Sequence, residues 1–168
     1  LNIKKAELGN FKMLYVGRIR VEKGIFSLLK IIEGKNDIFL TIVGEEYQTK
    51  KIINQSNVTV FENTSDQKQL IKFYDECNIF ILPSFTEGHP MVLLEALARK
   101  RPVIIFKEIE HVVGDKKGIF ISDRNFKSLF HNLNHIKENY EFIIKEMEQN
   151  KLPTKKNFNE EIQKIINK

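Results

Sequence analysis

Apolar and polar positions along the chain switch between a short continuous pattern and a helical one. Lys12 to Val16 (Lys-Met-Leu-Tyr-Val) is a short apolar run closed by Gly17, which predicts a buried strand. Glu22 to Glu33 sets Ile25, Leu28, Leu29 and Ile32 at helical spacing, with Gly34 as the expected stop. Asp37 to Val43 predicts a second strand closed by Gly44, Glu45 to Asn54 a short helix, and Asn57 to Phe61 a third strand. Leu70, Phe73 and Tyr74 share one side of a helix expected over Asp66 to Cys77. Asn78 to Leu82 is almost wholly apolar and reads as a fourth strand. Pro90 to Arg99 predicts a helix with Pro90 at its first position, where a missing N–H costs nothing. Pro102 to Phe106 and Gly118 to Ile121 are the fifth and sixth strands. Asp123 is the expected cap of a long helical stretch to about Asn150; Pro153 breaks it, and Phe158 to Lys168 is expected to form a last helix.

Strands therefore alternate with helices, and most strands are apolar on both faces. That combination predicts an α/β fold: a Rossmann-like, doubly wound parallel sheet of about six strands with helices on both sides. The 168 residues suit one domain, 1–168, whose polar segment 145–168 is the least core-like part. Composition narrows the classes. With 42% hydrophobic residues the chain is not intrinsically disordered. No apolar run approaches the roughly 18 residues of a membrane span. The single Cys77 excludes a disulfide scaffold and fits a reducing compartment. Leu1 to Asn10 lacks the apolar segment of a signal peptide, and a first residue other than Met suggests a piece of something longer. A formal charge of +5 favours anionic partners, nucleotides and phosphates among them, although most of the lysines read as solvated surface.

In a doubly wound sheet, ligands bind beyond the carboxyl ends of the strands. Two of the loops there carry chemistry. The first, Gly17-Arg18-Ile19-Arg20-Val21-Glu22-Lys23-Gly24, puts cations around a strand-to-helix turn; Arg18 and Lys23 could converge on a phosphate, or the stretch could be a solvated basic loop. The second, Pro83-Ser84-Phe85-Thr86-Glu87-Gly88-His89-Pro90, leads Glu87 into a helix start whose free N–H groups suit an anion. Glu95 stands in a helix that is otherwise apolar all round, so it is expected to be largely buried and to need donors from the protein or from ligand hydroxyls. Two carboxylates flanking an anion site, opposite a basic loop, suggest a sugar linked to phosphate. No His, Cys or Asp cluster has metal-ligand spacing. Cys77 reads as a core filler, Arg20 as a surface cation, and His111, His131 and His135 as ordinary surface or helix residues.

The segment Glu87-Gly-His-Pro-Met-Val-Leu-Leu-Glu95-Ala-Leu-Ala, with its Glu-x7-Glu spacing, resembles the signature of the group 1 glycosyltransferases, a large retaining family with the GT-B fold. Gly-Arg-x4-Lys-Gly at Gly17 to Gly24, Ile-Val-Gly at Ile42 to Gly44 and Phe-Ile-Leu-Pro-Ser at Phe80 to Ser84 resemble the same family, in the same order, over about Lys12 to Ile121. The resemblance implies that the chain is the C-terminal, donor-binding half of a two-domain enzyme whose acceptor domain lies outside it. It implies that Arg18 and Lys23 hold the diphosphate of a nucleotide-sugar donor and stabilise the leaving group, these cations and a helix N-terminus replacing a divalent ion, so that no metal or other cofactor is expected. Glu87 would hydrogen-bond the donor sugar, and Glu95 would accept from the ribose. Gly17 and the backbone after Gly88, through His89, Pro90 and Met91, would complete the donor site. It further implies a hexosyl transfer to a glycan or glycolipid acceptor, in surface polysaccharide or glycolipid synthesis, in the cytoplasm or peripherally at the inner face of the cell membrane. An isolated half of such an enzyme is expected to transfer nothing.

The chain departs from the family pattern in three loops. Glu45-Glu46 stands where a second Gly is common, Glu62-Asn63 where a Gly is common, and Phe106 to Val113 lacks a Gly-Gly segment. The nucleobase and sugar are therefore left open. These loops also keep alive a non-catalytic nucleotide-binding or interaction domain. A sugar-nucleotide epimerase or phosphorylase-like enzyme of the same fold is disfavoured by the Glu87-x7-Glu95 spacing. A nucleic-acid-binding module would have to rest on charge alone, without a stacking platform, so nucleic acid is not an expected partner.

Overall fold

The computed structural model describes residue 3, residues 11–44 and residues 55–152. The expected helices at Glu45 to Asn54 and Phe158 to Lys168, and the break at Pro153, lie outside the described residues. Six strands, β1 (Lys12–Val16), β2 (Phe39–Gly44), β3 (Val58–Glu62), β4 (Ile79–Leu82), β5 (Val103–Phe106) and β6 (Ile119–Ser122), form one sheet in the order β3-β2-β1-β4-β5-β6. Every pairing is parallel. The interior strands β4 and β5 are buried along their whole length, as continuous Ile, Leu, Val and Phe runs require when both faces are covered.

The described helices are α1 (Ile25–Ile32), α2 (Gln67–Glu76), α3 (Met91–Ala98), α4 (Phe126–Glu138) and α5 (Tyr140–Met147), with short 3-10 turns at Val21–Lys23 and Lys107–Val112. In α1 the four residues picked out by spacing, Ile25, Leu28, Leu29 and Ile32, are the buried ones. The starts of the strands are pinned by side chains. The Asn57 amide donates to the carbonyls of Lys35 and Ile38, at 3.0 and 2.9 Å, tying the end of α1 to the start of β2. Asn78 Oδ1 accepts from the Lys12 N–H at 2.7 Å, and Tyr140 donates its hydroxyl to the Asn78 carbonyl at 2.9 Å. Arg101 is buried and donates to the carbonyls of Tyr74 and Asp75, while Arg99 forks onto the Asp75 carboxylate.

Three local expectations change. Asn125, not Asp123, caps the helix after β6: its side chain accepts from the Ser128 N–H, while the Asp123 N–H donates to the Ser128 hydroxyl. The long helix is two, divided at Asn139, where the chain turns and Tyr140 enters the core. Pro90 is the residue before α3 rather than its first turn, with extended backbone (φ −74°, ψ 102°).

Candidate donor site at the switch point

The strand order reverses between β1 and β4, so the connections leaving these two neighbours run to opposite sides and open a crevice at their carboxyl ends. The β1 loop and the β4 loop face each other there. Gly24 makes their approach possible. Its φ of 68° lies in the left-handed region, and a Cβ built on it would stand 1.8 Å from the Pro83 carbonyl oxygen. The Phe85 N–H donates to the Glu22 carbonyl at 2.9 Å, which knits the two loops directly.

Above that contact lies a compact polar cluster. Lys23 Nζ donates to Glu87 Oε1 at 2.8 Å, and Ser84 Oγ donates to the same oxygen at 2.7 Å. Ser84 is fully buried, and the Glu87 side chain is only 11% exposed, so the carboxylate is held from the protein side rather than by water. Beneath it, the Tyr15 hydroxyl donates to the Arg18 carbonyl at 2.7 Å. Burial, followed by the negative charges of Glu87 and Glu22, pushes the Tyr15 hydroxyl well above the usual phenol range, so it remains a donor. Gly17 has φ 153° and donates its N–H to the Val43 carbonyl at 3.0 Å, fixing the first turn of the loop. The Arg18 side chain is exposed at the mouth, and its guanidinium has no hydrogen bond or ion pair among the described residues.

Helix α3 presents its amino end to the same space. No side chain caps it, and in a helix the first N–H groups have no partner of their own. Its exposed stripe runs through Met91, Glu95 and Ala98, while Leu93, Leu94, Ala96 and Leu97 are buried. Glu95 is half-buried, and it has the protein donor that a carboxylate there needs. Glu95 Oε2 accepts from the Tyr74 hydroxyl at 2.9 Å. Burial first, then the Glu95 charge, drives the Tyr74 hydroxyl far above its ordinary range, so this donor stays protonated. No hydrogen bond reaches Glu95 Oε1 among the described residues.

Lys23 and Glu87 are thus brought into contact, with Gly17 and Arg18 beside them and Met91 and Glu95 along the adjoining stripe. Gly88 and His89 are exposed in the loop before α3. His89 lines a pocket of about 220 Å³ together with Leu93, Leu94, His111 and Lys116, on a different flank of α3 from Glu95. Three residues of the neighbourhood were not legible as such in the sequence. His111 is exposed but not idle: its Nε2 lies 2.8 Å from the Glu87 carbonyl, which can only accept, so Nε2 carries the proton. Ser84 figured only as part of a strand-end motif. Arg124 stands in no motif of the sequence; it lies across the β4 loop, as described below. Among the described residues no group of three or more His, Cys, Asp or Glu side chains could hold a metal ion, and no helix is long and apolar enough to cross a membrane.

A sequence model of the family described as "Glycosyl transferases group 1" matches residues 2–163. The capsular polysaccharide biosynthesis glycosyltransferase CapM of Staphylococcus aureus is 33% identical over 136 residues, covering 71% of this chain and 35% of that protein. The putative teichuronic acid biosynthesis glycosyltransferase TuaC of Bacillus subtilis is 35% identical over 91 residues, covering 54% of this chain and 23% of that one. The chain spans about a third or less of these relatives. Among solved structures, the catalytic domain of the cholesterol-α-glucosyltransferase of Helicobacter pylori superimposes with a TM-score of 0.63 at 21% identity, covering 83% of this chain and 94% of that one. TarM superimposes with a TM-score of 0.69 at 18% identity, covering 97% of this chain and 37% of that one. The parallel sheet is accordingly the Rossmann-like domain of GT-B glycosyltransferases, and the chain belongs to the group 1 glycosyltransferases.

Proposed function

We propose that this chain is the donor-binding half of a retaining hexosyltransferase that uses a nucleoside diphosphate sugar and builds a surface polysaccharide or glycolipid. The observation that carries this reading is the Lys23–Glu87–Ser84 cluster at the switch point, set against the open amino end of α3. A lysine has three donors, so Lys23 can hold Glu87 and a phosphate oxygen together. Arg18, exposed at the mouth, supplies a second cation, and the first N–H groups of α3 supply oriented dipoles. These groups meet the charge that grows on the diphosphate as its bond to the anomeric carbon breaks. They do so without a divalent ion, so transfer should persist in EDTA. Glu87 accepts from a donor-sugar hydroxyl near that carbon. Glu95, with Oε2 anchored by Tyr74, turns Oε1 to the ribose. The acceptor oxygen bonds the anomeric carbon on the face the diphosphate leaves, and its proton passes to a phosphate oxygen.

The acceptor domain, the glycan or glycolipid acceptor and a peripheral association with the inner face of the cell membrane belong to this proposal; so does the inactivity of the half on its own. The names of CapM and TuaC, which concern capsular polysaccharide and teichuronic acid, support the polysaccharide class of product. The test is thermal stability of this chain against UDP, GDP, ADP and their sugars, beside Glu95→Ala and Arg18→Ala. A shift with one nucleotide class, lost in both variants, is the expected result. Transfer is then followed in the full-length enzyme, with the anomeric configuration of the product read by NMR. Donor affinity without transfer there would favour a non-catalytic binding domain, and an inverted product would refute retention.

A further inference from the structure

Arg124 is placed in the turn between β6 and α4, two strands away from β4, yet its side chain lies under the β4 loop. Nη1 donates to the Pro83 carbonyl at 2.9 Å and Nη2 to the Ser84 carbonyl at 3.2 Å. Nε donates to Glu108 Oε1 at 2.7 Å, in the connection after β5. The guanidinium plane lies 3.9 Å from the Phe85 ring centre and 4.3 Å from that of Phe106. The side chain is only 14% exposed. Three nitrogens and two ring contacts of one planar group are therefore used at once, which a lysine ammonium cannot reproduce.

We propose that Arg124 is a positioning residue for the sugar-facing carboxylate: by capturing two successive carbonyls it fixes the Pro83–Ser84 backbone, and through Ser84 Oγ it sets Glu87. The chain of contacts is continuous. Arg124 fixes the peptide planes on either side of Ser84, Ser84 Oγ meets Glu87 Oε1 at 2.7 Å, and the same oxygen meets Lys23 at 2.8 Å. Glu108 holds the guanidinium through Nε. The hydrogen bond from Arg124 in turn keeps the Glu108 carboxyl below its ordinary range. Arg124 itself need touch no substrate. The role as stated rests on the reading of Glu87 as the group that meets the donor sugar; the hold on Glu87 does not.

The experiment joins kinetics of the full-length enzyme to crystal structures of Arg124→Lys and of the unaltered protein. Arg124→Lys is expected to lower kcat by about ten- to a hundredfold, the scale of a displacement near 1 Å at the reacting centre. Affinity for the nucleoside diphosphate without its sugar should change less than about twofold, because Lys23 and Arg18 remain. Ser84→Ala, which leaves Arg124 in place, should reproduce the kcat loss. In a Glu87→Gln background Arg124→Lys should cost little more, since acting through Glu87 makes the two effects non-additive. In the crystal, the Ser84–Glu87 contact should open beyond hydrogen-bonding range. A full kcat penalty for Arg124→Lys in the Glu87→Gln background would overturn the proposal, as would an unchanged kcat in Ser84→Ala or an undisturbed Ser84–Glu87 contact in Arg124→Lys. If the unaltered enzyme transfers no sugar from any donor, the functional reading fails, and the crystal comparison still decides whether Arg124 sets Glu87.

Discussion

Replacing Gly24 by Ala tests whether the close approach of the β1 and β4 loops builds the site. Two costs fall on that substitution. The φ of 68° disfavours any L side chain by about 1–2 kcal/mol. The new methyl would stand 1.8 Å from the Pro83 oxygen and 2.7 Å from its carbonyl carbon, so one loop must retreat by more than about 1 Å to reach ordinary contact. Such overpacking costs about 1–3 kcal/mol more. Gly34 is the internal control. Its φ is 69°, and a Cβ there would meet nothing within 4 Å, so Gly34→Ala carries the first cost without the second. In urea unfolding, Gly34→Ala should lose about 1–2 kcal/mol and Gly24→Ala about 2–5 kcal/mol. At 2–4 °C per kcal/mol for a domain of this size, the two melting points should be clearly separated. The retreat also carries Ser84 and Glu87 away from Lys23, so Gly24→Ala should abolish the nucleotide-induced thermal shift while Gly34→Ala keeps it. Equal stability losses, together with a retained shift in Gly24→Ala, would refute the reasoning that this contact assembles the site.

Two further outcomes follow from the buried hydroxyls. Tyr74→Phe removes the donor to Glu95 Oε2, a bond to a charged group worth about 1.5 kcal/mol where water can partly replace it; nucleotide affinity by calorimetry should fall about tenfold, and unchanged affinity would show that Tyr74 does not orient Glu95. Burial raises Tyr140 and the Cys77 thiol to about 12 and raises Tyr15 and Tyr74 as well. The unfolded chain therefore releases these protons first as pH rises, and the stability they confer is intact below about pH 8.5 and lost between there and 12, by up to about 1.4 kcal/mol per pH unit for each group. Urea midpoints measured with reductant should be level from pH 7 to 8.5 and fall above it, Cys77→Ala should move the onset to about pH 10, and a level curve to pH 11 would contradict the burial of these groups.

The six strands were legible because a parallel strand covered on both faces must be a short, nearly continuous apolar run. Val103 to Phe106 and Ile79 to Leu82 are of that kind. What escaped was decided by contacts between distant parts of the chain. Asp123 and Asn125 are both good capping residues two positions apart, and only the placement of Ser128 selects Asn125. No Gly or Pro marks the break at Asn139; the hydrogen bond from Tyr140 to Asn78, 62 residues earlier, accompanies it. The donor that Glu95 needs is Tyr74, 21 residues earlier, and no local pattern in the sequence pairs the two. The pairing of Lys23 with Glu87, 64 residues apart, was within reach of the loop-by-loop reading, since both lie at carboxyl ends of adjacent strands. Arg124 was not, because its aromatic partners Phe85 and Phe106 come from two other strand ends and leave no trace near it in sequence.

The pins described at the starts of the strands bear on how such a protein can diverge. Asn57, Asn78, Tyr140 and Arg101 all act at the amino ends of the sheet, away from the loops that meet the donor crevice. Substitutions in the loops of the candidate site, close-packed points such as Gly24 aside, leave these register contacts untouched. The connection after β5 winds into a 3-10 turn, while β5 and β6 keep their four paired positions. A sheet whose register is held at one end can keep its fold while the loops at the other end change.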